Sequence, residues 1–320
     1  EEAAAVFKHL APKEVQKLGE TIAKMKTVPR DRLEAVLDIS QLSSAEPKSS
    51  QHLALQLVRD AGVPREQLYL VSKVYPHNAS KRGTIAACER SLKRLGTEYL
   101  DCYLLHWPGE HPLEDTVAAF ELLKAQGKIR AWGISLGPTI GWREEGFEAM
   151  LRHNAQAVQT IFNLLEQNPG KELGELAMSQ HAGILARGHD CRSLLKGSIE
   201  PGSVGQDENC KTFDFRKLQL VRKYADAHGM TLHQLACKWL LQQTGLTSIT
   251  ATLLGEQEIT EAAESVDKPD LTVQELAQIA ADYANDWNLG EDAHPCDLAS
   301  SVDPSGKVRS GYVPPPVLFA

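Results

Sequence analysis

Two side chains that take part in proton chemistry close two apolar runs of strand length. Lys73 ends the run LYLVSK, and His106 ends the run CYLLH just before Pro108 and Gly109. An ammonium lowers the pKa of a neighbouring acid, and an imidazole relays protons in catalysis. The pair therefore indicates a proton-transfer site, provided that the fold brings the two strand ends together.

The segment between these two residues predicts such a fold. IAACERSLKRL places apolar residues at helical spacing, and Gly96 ends that helix. Two apolar strands joined by a helical crossover form a βαβ unit, in which the strands lie parallel. We therefore expect Lys73 and His106 at the carboxyl ends of adjacent strands, where α/β barrels keep their chemistry.

Length and composition exclude several classes of protein. The 320 residues fit one large α/β barrel or two ordinary domains, and a hydrophobic content of 42% suffices for a globular core. A net charge of −8 argues against nucleic acid or an anionic membrane as a partner. No apolar run approaches the roughly 20 residues of a membrane span. The first residues lack the features of a signal peptide, and the missing initiator Met indicates a trimmed or incomplete sequence.

Six cysteines are scattered along the chain, and no two of them form a C-x-x-C pair. Three of them, Cys88, Cys102 and Cys237, fall inside apolar elements. We expect reduced thiols in a cytoplasmic protein, and the spacing argues against a zinc site or any other metal site.

Four segments together resemble the aldo-keto reductase family: LVSKVYP, ERSLKRLGTEYLD, LLHWPG and AFELLKAQGKIRAWGIS. They stand in family order at family spacing, and the resemblance extends from about residue 38 to about residue 283. It implies a (β/α)8 TIM barrel with its active site at the carboxyl ends of the strands. It also implies an oxidoreductase that uses NADP or NAD to reduce a small-molecule carbonyl substrate, an aldehyde or a ketone, to an alcohol. The physiological substrate and the oligomeric state stay open.

The resemblance assigns the proton-transfer site residue by residue. Asp38, Lys73 and His106 match the family's Asp, Lys and His, which support a catalytic Tyr. That Tyr stands five residues after the Asp in the family, whereas this chain has Ser43 at that position. A serine hydroxyl is shorter and far less acidic than a phenol, whose pKa is about 10. We therefore expect a catalytic site that has its supports but lacks its acid.

Further positions match the family's substrate and nicotinamide contacts. Tyr75 and Trp107 correspond to aromatic residues of the substrate pocket. The residues that match nicotinamide contacts are Ser135, Gln159 and Arg187. An aromatic ring often stacks on the nicotinamide where Arg187 stands, and a guanidinium can also stack on a flat ring. Leu136 replaces a family Asn, so one polar contact is lost.

The adenosine end of the cofactor is expected at the segment LLGEQEITEAAESV, which includes Gly255 and Glu261. Family members that prefer NADPH place Arg or Lys here to pair with the 2′-phosphate, whereas this chain has Glu256 and Glu258. A carboxylate repels that phosphate but accepts a hydrogen bond from a ribose 2′-hydroxyl. The segment therefore disfavours NADPH relative to NADH.

The two ends of the chain depart from the family. Residues 1–36 are predicted to be helical and lack the family's glycine-rich first strand; they weakly resemble the opening of a flagellar motor switch protein. A helical cap, a divergent opening and a fusion remain open. Residues 37–289 are assigned to the barrel, and residues 290–320 to a tail that is either disordered or packed on a surface or a partner. Strands are expected at 35–38, 68–73, 101–106, 130–135, 157–162, 183–187 and 247–252.

Two functions follow from these observations. The first is an NAD(P)H-dependent aldehyde or ketone reductase, which Lys73, His106 and Gln159 favour. The second is a non-catalytic aldo-keto reductase-like protein that binds a nucleotide or a partner, which Ser43 and the acidic adenosine segment favour. We favour the enzyme, because three supports of a proton-transfer site are hard to explain without one.

Overall fold

The protein alternates strands and helices along its chain. The computed structural model describes residues 36–38, 64–136, 143–191, 193–197, 216–253, 255–285 and 287. These residues form the strands β1 Val36–Asp38, β2 Tyr69–Val74, β3 Leu100–Leu105, β4 Ile129–Ser135, β5 Ala157–Ile161, β6 Gly183–Arg187 and β7 Leu246–Thr250. They also form the helices α1 Lys81–Leu95, α2 Leu113–Ala125, α3 Arg143–His153, α4 Gly170–Gln180, α5 Arg216–Ala227, α6 Leu232–Leu241, α7 Glu256–Glu264 and α8 Val273–Ala284. All seven strands expected from the sequence are confirmed, with ends that shift by two residues at most.

Several predictions fall outside the described residues. They concern the helices before Val36, the missing first barrel strand and the tail at 290–320. Ser43 also lies outside the described ranges. Within these ranges, no helix is both long and apolar enough to cross a membrane.

The chain divides into two compact units, of which the first comprises residues 1–135, 155–157 and 252–259. Its strands β1 to β4 are ordered as in the chain and pair parallel. The register places Asp38 opposite Val71, and Lys73 opposite Leu104. Every residue of β3 is buried, which is expected for a parallel strand covered on both faces.

The crossover between β2 and β3 is the helix that the sequence predicts. Helix α1 begins after Ser80, whose hydroxyl accepts a hydrogen bond from the Gly83 N–H. It ends at Gly96, which has a φ of 61° and therefore a backbone conformation that suits glycine. The helix buries an apolar face that includes Cys88 and Leu95, and this packing fixes how β3 follows β2.

A charge network holds the amino end of β3. The Asp101 carboxylate, 2% exposed, accepts hydrogen bonds from the Leu70 N–H and from the guanidiniums of Arg65 and Arg130, all at 2.8–2.9 Å. Both guanidiniums also lie over the Tyr99 ring, about 4 Å from its centroid. One buried acid therefore ties β2, β3 and β4 together at the end of the strands opposite His106.

The second unit comprises residues 136–154, 158–251 and 260–320. In it, β6 and β7 pair parallel, with Arg187 opposite Thr250. Helix α6 begins with a capping box, in which the Thr231 hydroxyl and the Gln234 side chain each bond to the other residue's backbone N–H. Trp239 of α6 is buried and packs edge-on against Phe162. These contacts fix α6 beside the segments that follow β5 and β6.

Candidate active site

Polar residues occupy the carboxyl ends of four adjacent parallel strands in the first unit. Asp38 ends β1, Lys73 is the penultimate residue of β2, His106 directly follows β3, and Ser135 ends β4. Because the carboxyl ends of parallel strands meet at one edge of a sheet, the fold brings these four backbone positions to the same edge. The arrangement is the one that the βαβ reasoning predicts, and the roles of the residues remain predictions.

Lys73 is buried, with 7% of its surface exposed. It lies in a strand whose neighbours Leu70, Val71 and Val74 are also buried. An ammonium in such surroundings is costly unless charged or polar groups compensate it. Apolar packing alone therefore does not explain a lysine at this strand end.

His106 is fixed by its backbone and enclosed by aromatic rings. Its N–H donates a hydrogen bond of 2.9 Å to the carbonyl oxygen of Val74, which sets the imidazole beside the end of β2. The centroid of its ring lies 4.8 Å from that of Tyr75 and 4.3 Å from that of Trp107. Tyr75 and Trp107 contact each other edge-on. The two expected substrate-pocket aromatics and the expected catalytic histidine thus form one cluster.

The predicted acid position of the site follows β1 along the chain. Asp38 is described by its backbone alone, as the last residue of β1 opposite Val71. Ser43 lies outside the described residues. Among the described residues, Tyr75 places a phenol ring beside the His106 imidazole. Tyr75 itself is 39% exposed.

In the second unit, Gln159 and Arg187 converge on the backbone of Leu136. The Leu136 N–H donates a 2.7 Å hydrogen bond to the Gln159 carbonyl oxygen, and the Leu136 carbonyl oxygen accepts a 2.8 Å bond from the Arg187 guanidinium. The buried Gln159 side-chain amide donates to the Thr250 hydroxyl at 3.2 Å. Sequence reasoning missed both Leu136 as a backbone anchor and Thr250. The signal for Thr250 was its place at the end of a strand, among other polar strand ends.

The segment predicted to bind the adenosine has free space around Gly255 and two acidic residues at the start of the helix that follows. A Cβ added at Gly255 would meet nothing within 4 Å. Helix α7 follows, with Glu256 and Glu258 in its first turn, where carboxylates are favoured by the helix dipole. Glu261 instead contacts the protein itself, since its carboxylate accepts a 3.2 Å hydrogen bond from Thr231. The expected adenine contact of Glu261 therefore competes with an internal contact.

Comparison with known sequences shows the family to which the chain is similar. The Aldo/keto reductase family matches residues 37–283. Methylglyoxal reductase YeaE of Escherichia coli is 34% identical over 185 residues, which cover 58% of this chain and 60% of that protein. Glyoxal reductase of Bacillus subtilis is 30% identical over 213 residues, or 66% of this chain and 67% of that protein. The chain thus spans about 60% of the length of the Escherichia coli relative.

Solved structures agree in fold. An aldo/keto reductase from Klebsiella pneumoniae in complex with NADP and acetate has a TM-score of 0.63 and 28% identity, and the similarity covers 86% of this chain and 87% of that one. The holo form of aldo-keto reductase AKR11C1 from Bacillus halodurans has a TM-score of 0.66 at 22% identity, covering 83% and 85% of the two chains. The α/β barrel expected from the sequence is thereby confirmed.

Proposed function

Because the chain belongs to the aldo/keto reductase family, we propose that it reduces the carbonyl group of a small aldehyde or ketone with a nicotinamide dinucleotide. The observation that carries the proposal is the row of polar strand ends, in which Lys73 and His106 lie on adjacent strands. Two relatives are a methylglyoxal reductase and a glyoxal reductase. A small dicarbonyl is therefore the first substrate class that we propose.

Each residue of the first unit has a role in this proposal. The His106 imidazole donates a hydrogen bond to the carbonyl oxygen, and the rings of Tyr75 and Trp107, which contact this imidazole, provide apolar surface for the substrate. The Lys73 ammonium stabilises the negative charge that develops on that oxygen, which is most effective in a buried position. The dinucleotide, when bound, supplies the hydride.

The nicotinamide end of a dinucleotide fits the second unit. A carboxamide needs both a donor and an acceptor, and the Gln159 amide offers both. The Arg187 guanidinium provides a flat cationic surface for the ring, and its hydrogen bond to the Leu136 carbonyl holds it in place. We propose that these two residues hold the nicotinamide.

The adenosine end fits NADH better than NADPH. The first turn of α7 carries Glu256 and Glu258 where a 2′-phosphate would need cationic partners. The solved relative from Klebsiella pneumoniae binds NADP. We propose that this chain instead prefers NADH, because the first turn of α7 is acidic.

Titration with NADH and with NADPH, followed by quenching of tryptophan fluorescence, tests the cofactor proposal. We expect both to bind, with NADPH no tighter than NADH, because the two carboxylates repel the 2′-phosphate. The double change Glu256→Arg and Glu258→Lys should tighten NADPH at least tenfold, or about 1.4 kcal/mol, and leave NADH almost unchanged. Glu98→Lys, a charge change at another exposed position, is the matched control. Tenfold tighter NADPH binding by the unchanged chain would contradict the argument.

One observation favours a second function, namely Ser43 at the position of the family's catalytic acid. A chain without that acid can still bind a nucleotide, so a binding protein is the alternative. Steady-state oxidation of NADH in the presence of methylglyoxal decides between the two. Binding of NADH without any turnover, in a folded protein, would favour the binding function.

We also propose that the protein acts in the cytoplasm. Four of its cysteines, Cys88, Cys102, Cys191 and Cys237, are buried and are not in disulfide bonds. Free thiols are typical of reducing compartments.

A further inference from the structure

A buried group of side chains that can ligate metals lies in the second unit. It consists of His189, His233 and Cys237, whose ligand atoms all lie within 4.8 Å of one another. The Nε2 atoms of the two histidines are 2.9 Å apart. None of the three side chains is more than 3% exposed. Two imidazoles and a thiol thus face one another inside the protein.

The fold places these residues by two independent elements. His233 and Cys237 are four residues apart on α6, so both project from the same face of the helix. His189 follows β6 by two residues and approaches that face from the sheet. The sequence alone argued against a zinc site because no two cysteines form a C-x-x-C pair, and His189 lies 44 positions before His233.

The distances are close to those of a tetrahedral metal site. Zinc binds imidazole nitrogen at about 2.0–2.1 Å and thiolate sulfur at about 2.3 Å, which separates neighbouring ligand atoms by roughly 3.3–3.6 Å. The two Nε2 atoms would have to move apart by only a few tenths of an ångström. All ligand atoms of the group lie within 4.8 Å of one another, so the sulfur would have to approach the nitrogens by no more than about 1.3 Å.

A carboxylate behind His233 orients its imidazole. The Glu261 Oε2 lies 3.4 Å from the His233 Nδ1 and also accepts a hydrogen bond from the Thr231 hydroxyl. A carboxylate at Nδ1 favours the tautomer that carries its proton there, which leaves the Nε2 lone pair directed at His189. Histidines that bind metals commonly have such a carboxylate on the other ring nitrogen.

Cys237 supplies the sulfur of the group and is 3% exposed. The thiolate is the form that ligates metals, so a bound dication would displace the proton of the thiol.

We propose that His189, His233 and Cys237 bind a divalent cation of the zinc class, with Glu261 as the residue that positions His233. Imidazole and thiolate ligands select zinc and related metals over magnesium and calcium, which prefer oxygen. Three protein ligands leave the fourth tetrahedral position to water. The site joins the segment after β6 to α6 and so stabilises the folded second unit.

Cobalt provides the direct test, since Co²⁺ replaces zinc and absorbs visible light. Protein stripped with a chelator and titrated with Co²⁺ should show tetrahedral d–d bands and a near-ultraviolet thiolate-to-cobalt charge-transfer band. Cys237→Ser should abolish the charge-transfer band, whereas Cys88→Ser, which removes a buried thiol in α1, should leave it unchanged. Glu261→Gln should weaken Co²⁺ binding about 10–100-fold, as expected for loss of a carboxylate behind a ligating histidine, and should keep the thiolate band.

Thermal unfolding gives a second readout that needs no enzyme activity. Zn²⁺ should raise the Tm of the full chain and should have little effect on His233→Ala. If Cys237→Ser cannot be purified, X-ray absorption at the zinc edge of the unchanged protein reports the ligands directly, and one sulfur with two imidazoles is expected. Absence of a thiolate band, or a zinc shell without sulfur, would overturn the proposal and leave the cluster as a hydrogen bond between two histidines beside a thiol.

Discussion

Ser43→Tyr is expected to raise kcat for aldehyde reduction by about 10²–10⁴-fold, the usual contribution of a general acid. Asp38, Lys73 and His106 lie at the carboxyl ends of β1, β2 and β3, and the family resemblance predicts that they support such an acid. The serine hydroxyl is too weakly acidic to donate its proton well, whereas a phenol beside an ammonium has a lowered pKa. The unchanged chain should therefore reduce aldehydes slowly, and a complete absence of turnover would instead favour the binding function.

The measurement is steady-state oxidation of NADH with a nitrobenzaldehyde and with methylglyoxal. Ser43→Phe is the matched control, because it adds the ring without the hydroxyl and should give no gain. The gain should also vanish in Ser43→Tyr combined with Lys73→Met, since the new phenol then lacks the cation that lowers its pKa. Cofactor affinity should stay nearly constant throughout, which separates proton transfer from binding.

Two outcomes would contradict this expectation in different ways. If the unchanged chain already turns over at ordinary reductase rates, another residue donates the proton. Tyr75, whose ring lies 4.8 Å from that of His106, is then the first residue to test, and Tyr75→Phe should remove the activity. If Ser43→Tyr folds and binds cofactor but stays inactive, the register assigned to residues 38–43 is wrong.

The sequence predicted correctly which polar residues lie at the ends of strands. Apolar runs marked each strand, and the last residues of those runs, such as Lys73 and His106, followed directly from that pattern. The parallel pairing of β2 with β3 came from the helix between them. Local patterns therefore sufficed to place Lys73 and His106 at the ends of adjacent strands.

Long-range contacts between side chains and backbone could not be predicted. In the sequence, Leu136 replaces a polar residue of the family, which predicts one lost contact. In the structure, the backbone of Leu136 is hydrogen-bonded to both Gln159 and Arg187. His189 and His233 lie 44 positions apart and meet only because α6 packs beside the segment after β6. No periodicity or motif encodes such meetings, since they depend on how helices pack on the sheet.

The ion pairs of Asp101 at the amino end of β3 also join residues that are distant in the sequence. We expect these ion pairs to stabilise the folded protein. Asp101→Ala is expected to lower the free energy of unfolding by about 3 kcal/mol, within the range for a broken buried ion pair. The change leaves the buried Leu70 N–H without its acceptor and removes the anion between Arg65 and Arg130. Because Arg130 is 60% exposed, water can solvate its charge, which keeps the loss at the lower end of that range.

Urea-induced unfolding followed by circular dichroism measures this loss, with two matched comparisons. Glu89→Ala removes the acid of an exposed ion pair with Lys128 and should cost at most about 1 kcal/mol. Asp101→Asn keeps an acceptor for the Leu70 N–H and should fall between the two. Below its melting temperature Asp101→Ala should still bind NADH normally, because Asp101 lies at the end of β3 remote from His106. An unchanged urea midpoint would show that the arginines and Tyr99 hold this end of the sheet without the acid, and weaker NADH binding would show that the two ends of the strand are coupled.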